Sequence, residues 1–68
     1  MILMDLYQRG IGIINKFPPV APIEEAEEFL QSYCKEKGLK IIGREYCPLD
    51  HAHWNYLSDG TELDYCEE

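Results

Sequence analysis

The stretch Trp54-Asn55-Tyr56-Leu57-Ser58-Asp59-Gly60-Thr61-Glu62-Leu63-Asp64-Tyr65 decides the fold class. Asp-Gly between two apolar-polar alternating runs is a strong signal for a tight β-hairpin turn. A two-residue turn at Asp59-Gly60 sets Ser58 opposite Thr61, Tyr56 opposite Leu63, Trp54 opposite Tyr65 and His53 opposite Cys66. Side chains alternate along a strand, so this register gathers Trp54, Tyr56, Leu63 and Tyr65 on one face, the expected core. The other face takes His53, Asn55, Leu57, Glu62, Asp64 and Cys66 and is expected to be wet. A slip of one residue would mix the two sets.

Upstream, Leu39 to Cys47 reads as a strand ended by Pro48, with Gly43 marking a bulge or a close approach. Before it lies a helix from about Pro22 to Lys37. Ile23, Ala26, Leu30 and Tyr33 fall at helical spacing, widened by Phe29 and Cys34. Glutamates crowd its first turns, Lys35 and Lys37 its last, and Gly38 suits the stop, a polarity that matches the helix dipole. The first seventeen residues carry two patterns. Met4, Tyr7, Ile11 and Ile14 recur at helical spacing and favour a helix, against which Gly10 and Gly12 together cost about 2 kcal/mol relative to alanine. The rival is a strand pair turning near Arg9-Gly10. Pro18, Pro19 and Pro22 then impose an extended connector. The expected architecture is a single α+β domain, 1–68, with one or two helices packed on a three-stranded, largely antiparallel sheet ending in a C-terminal β-hairpin.

At 68 residues the chain can bury only about 60% of its unfolded surface. A substrate cleft of ~300–1,000 Å³ would take much of that core, so size argues against an enzyme. A hydrophobic fraction of 46% is nevertheless too rich for a disordered chain. No secretory signal or membrane-length apolar run is visible, and an odd number of cysteines (Cys34, Cys47, Cys66) does not suit a disulfide framework. The expected compartment is the cytoplasm.

Charge separates the chain into two parts. The net charge is −7, yet residues 1–44 hold six acids and six Lys or Arg, whereas residues 45–68 hold seven acids and none. Direct nucleic-acid binding needs Lys and Arg to neutralise phosphates, so it is disfavoured. The lack of a cationic groove also argues against Trp54, Tyr56 and Tyr65 as a base-stacking platform. Gly10-Ile11-Gly12 lacks the remainder of any phosphate-loop motif.

Cys47, His51, His53 and Cys66 form the one cluster with metal-ligand chemistry, and a structural zinc would staple a small domain. Its spacing matches no standard zinc module, and no cofactor is expected. Cys66 beside His53 lacks the orienting group and oxyanion donor a nucleophile requires. The acids are the remaining candidates: Glu24, Glu25 and Glu28 on the helix, and Asp50, Asp59, Glu62 and Asp64 in the C-terminal third. Like charges held together cost stability, which suggests a surface made to meet a basic partner.

In size, acidity and lack of catalytic signature the chain resembles small accessory proteins of phages and mobile elements, a likeness of general character that covers no motif. The expected function is that of a non-enzymatic inhibitor or adaptor that docks on a basic, nucleic-acid-binding surface of another protein. The alternatives are the zinc module and a homodimeric accessory protein.

Overall fold

The computed structural model describes residues 1–67. In chain order the elements are β1 (Ile2–Gln8), β2 (Gly12–Val20), α1 (Ile23–Lys37), β3 (Ile41–Cys47), β4 (Ala52–Leu57) and β5 (Thr61–Glu67). The fold is α+β, with one helix on a five-stranded antiparallel sheet of order β2-β1-β5-β4-β3. The expected helix is present and the number of strands is corrected from three to five.

The two extra strands come from the N-terminal segment, where the helical reading fails. Ile2, Met4 and Leu6 are buried while Leu3, Asp5 and Tyr7 face the other way, a period of two. Gln8 O accepts from Ile11 N (3.0 Å) across a turn with Gly10 at φ +83°, a type II geometry closed to most side chains. The prolines fit because β2 is an edge strand, where missing N–H donors cost nothing. They lie where the register shifts, Ile2 pairing with Val20 but Met4 with Phe17.

The C-terminal hairpin exists, one residue out of the expected register. Asn55 pairs with Leu63, Trp54 with Asp64 and His53 with Tyr65. The cause lies in the turn. Gly60 N donates to Leu57 O (3.2 Å), and Gly60 itself sits at φ +88° as the bulge residue of a three-residue loop. Asp59 Oδ1 fixes this loop by accepting from Thr61 N (3.0 Å) and from the Thr61 hydroxyl. Ser58 is therefore in the loop rather than paired, and every β4 side chain changes face relative to β5. Leu63 and Tyr65 are buried as expected, joined by Leu57 and Asn55, while Trp54 and Tyr56 lie on the opposite face.

The core sits between α1 and one sheet face. Ala26, Leu30 and Cys34 of the helix meet Ile2, Met4, Leu6, Leu57, Leu63 and Tyr65, with Phe17 packed at tilted and edge-on angles against Phe29 and Tyr33 at the β2 side. Polar contacts tie the helix to β3 and β5. Arg44 of β3 donates to both Glu27 carboxylate oxygens (3.0 and 2.6 Å), and the Tyr65 hydroxyl donates to Glu27 Oε2 (3.1 Å). Asn55, 1% exposed, accepts from Arg44 Nε (2.8 Å) and donates to Leu63 O (3.0 Å).

Candidate docking face

With α1 covering one face, the sheet presents the other uncovered. Cross-strand pairing assigns its rows. One runs Lys16–Asp5–Asp64–Trp54–Glu45, the next Ile13–Tyr7–Glu62–Tyr56–Gly43, and the third Leu3–Cys66–Ala52–Cys47. Four acids thus share a face with two tyrosines and a tryptophan, against one lysine. None of the four forms an ion pair with Lys or Arg among the described residues.

The electrostatics of this face are strained. Asp64 is half-buried, and its Oδ1 is shielded from solvent without a hydrogen-bond partner. Burial, then the hydrogen-bonded carboxyl of Glu62 and its charge, raise the Asp64 carboxyl to about 8, with Asp5 adding repulsion; a hydrogen bond from the Asn55 backbone works the other way. Tyr56 donates its hydroxyl to Glu45 Oε1 (2.7 Å), which holds that phenol up near 12 and fixes its ring. The ring lies over the backbone of β3, where a Cβ on Gly43 would come within 3.3 Å of Tyr56 Cδ2.

A cleft of about 380 Å³ opens between Tyr7 and Tyr56, with Glu62 between them and Arg9 and Ile42 at its rim. The size argument concerned a cleft enclosed by the core; this one is open on the sheet surface, so it takes no volume from the core.

The expected acidic residues do not form one patch. Glu62 and Asp64 lie on the open face, next to Asp5 and Glu45, which sequence reasoning did not single out. Glu24, Glu25 and Glu28 are exposed on α1, across the sheet from them. Asp50 lies in the β3–β4 turn. Asp59 is held by Thr61 in the β4–β5 turn, and its charge helps raise the thiol of Cys34 and the phenol of Tyr33 on the helix side, where burial is the larger cause. Asp5 could have been found by treating residues 1–8 as a strand, since its alternation puts Asp5 opposite the buried residues.

The Cys47, His51, His53 and Cys66 grouping is corrected by the same register. Cys66 pairs with Ala52, which places Cys47 and Cys66 on the open face. His53 lies on the helix face, its ring stacked on Tyr65 (4.8 Å) and beside Tyr46 (4.6 Å). Among the described residues, no group of three or more His, Cys, Asp or Glu could hold a metal ion. Among the described residues, no helix is long and apolar enough to cross a membrane.

No protein-family model, curated protein or solved structure matches this chain.

Proposed function

We propose that this protein is a non-enzymatic binding module, an inhibitor or adaptor, that lays its open sheet face on a basic surface of a partner protein, of the kind that otherwise receives nucleic acid. One observation carries this reading: Asp5, Glu45, Glu62 and Asp64 share an uncovered face with Tyr7, Trp54 and Tyr56 and have no ion-pair partner among Lys or Arg of the described residues. Holding Asp5 and Asp64 directly opposite one another on paired strands costs stability, as repulsion when both are ionised or as the proton Asp64 holds to relieve it. A small domain that keeps such an arrangement loses the cost when a cationic surface docks. Aromatic side chains interleaved with the acids supply contact area of the sort that dominates interface energies. The charges would steer association and be screened by salt.

The test is a titration with an alternating Arg-Lys octapeptide, followed residue by residue in backbone amide NMR spectra. Expected shifts map to β1, β4 and β5, weaken about tenfold or more between 20 and 200 mM salt as Debye screening tightens, and vanish in an E62K/D64K double variant. An E24K/E25K/E28K variant should bind as wild type. Binding that survives E62K/D64K, or that follows the helix acids, would overturn the reading.

A further inference from the structure

We infer that the cleft between Tyr7 and Tyr56 is a receptor for an arginine side chain of the partner, a proposal that rests on the docking face described above and names the group it grips. Tyr7, Glu62 and Tyr56 occupy one row across three adjacent strands. Strands lie ~4.8 Å apart, so the Tyr7 and Tyr56 backbones stand roughly 10 Å from each other with that of Glu62 midway. A cation seated in the cleft that these three side chains line has an aromatic wall on either side and the Glu62 carboxylate beside it, the combination a cation–π contact uses.

Three features keep the space open and its walls fixed. Gly43 continues the row without a side chain, so the Tyr56 ring settles over β3 and leaves the gap above Glu62 clear. The hydrogen bond to Glu45 anchors that ring and places a further negative charge at its hydroxyl. Tyr7, 37% exposed, stands as the opposite wall. The result is a cleft of about 380 Å³, several times what one guanidinium fills, so the stem of the side chain and its neighbours also fit.

Among cations, guanidinium matches best. It is planar, weakly hydrated, stacks on aromatic faces and forms two parallel hydrogen bonds to a carboxylate. An ammonium offers a compact, strongly hydrated charge with no planar face for either ring. Arg9 at the rim is the one positive charge lining the cleft; with Lys16 in the neighbouring row it is set against Glu62 within the cleft and Glu45 and Asp5 beside it. The balance favours a cation over an anion as the occupant.

The test compares octa-arginine with octa-lysine at equal charge and ionic strength, on wild type and on Tyr7→Phe, Tyr7→Leu and Glu62→Gln variants whose folding is checked by their amide spectra. The Tyr7 position is partly exposed on a strand, so both substitutions leave the core alone. Octa-arginine is expected to bind about tenfold tighter than octa-lysine, by the magnitude of a partly desolvated cation–π pair. Tyr7→Phe, which keeps the ring face, should retain the preference; Tyr7→Leu and Glu62→Gln should each abolish it. Equal affinity for both peptides, with shifts still on the open face, would overturn the arginine cleft and leave the docking reading intact. Failure of both peptides to bind would overturn both. Preferential binding of an octa-glutamate control at Arg9 would overturn the cation assignment.

Discussion

Asp64 and Asp5 stand directly opposite one another on the adjacent strands β5 and β1, and Asp64 adjoins Glu62 on the same face. Burial and these neighbours raise the Asp64 carboxyl to about 8, so the folded protein holds a proton that the unfolded chain releases near pH 4. Stability therefore falls as pH rises from about 4 toward 8. Asp64→Asn removes the charge and keeps the shape. It should stabilise the protein at pH 8 by about 1 kcal/mol, after discounting for solvent screening at a half-exposed site, and should be neutral at pH 4. Urea unfolding of both proteins at the two pH values measures this. A variant no more stable at pH 8 would mean that Asp64 is solvated and unstrained.

Glu27 moves the other way. Its hydrogen bonds with Arg44, the larger cause, and with Gln31 and Tyr65 hold its carboxyl down near 2 against partial burial. A depressed acid stabilises the fold above its ordinary pKa of 4.5, and that contribution disappears as pH falls from about 4.5 to 2. Both side chains are partly exposed, at 46% for Arg44 and 39% for Glu27, so the pair is worth less than its bidentate geometry suggests. A double-mutant cycle of Glu27→Gln and Arg44→Met at pH 7 should give a coupling of about 0.5–1 kcal/mol, shrinking at pH 2.5. Coupling unchanged by acid would assign the effect to packing instead.

Asn55 holds the β4 register. It is buried, bonds Arg44 and Leu63 O, and lies between Leu57 and His53 on the helix face. Asn55→Leu leaves the Arg44 Nε without its acceptor and should cost about 1–3 kcal/mol. The loss should come with exchange broadening in β4 and β5 amides as the hairpin samples the slipped pairing. A sharp spectrum with full stability would show that the turn alone sets the register.

That register marks the limit of what the residues could say in advance. Asp59-Gly60 announced the hairpin, and the helix announced itself through its periodicity, its glutamate-rich start and its glycine stop. The turn type was not legible, because Asp-Gly serves both a two-residue loop and a three-residue loop with a bulge glycine, and these differ by one residue of pairing. Reading Trp54 and Tyr56 as core followed from pairing them with Tyr65 and Leu63 in the two-residue-turn register, yet the true partner of Leu63 is Asn55, whose burial is tolerated only because Arg44 and Leu63 O satisfy it. The N-terminal hairpin was masked by bulges that break its alternation and by prolines that only an edge strand accepts. Glu62 and Asp64 were legible as site candidates. Their partners Asp5, Glu45 and Tyr7 were not, since strand pairing over more than fifty residues brings Asp5 and Tyr7 to them.

Docking of a cation should itself depend on pH. Asp64 is faced by Asp5 from β1 and by Glu62 on its own strand, with Glu45 of β3 beyond Trp54 and Lys16 of β2 beyond Asp5. A cationic surface laid on this face favours the ionised form, so binding expels the shared proton. Affinity should then rise with pH through the neutral range and level off above about 8, where the free protein has already lost that proton. For octa-arginine the expected gain between pH 6 and pH 8.5 is about tenfold, one proton's linkage reduced by screening. Calorimetry in buffers of different ionisation enthalpy would count the proton released at pH 7. Asp64→Asn should bind with a flat pH profile and no proton release. A flat profile in the wild type would place the docked cation away from Asp64, and one that persists in Asp64→Asn would trace it to the peptide rather than to this face.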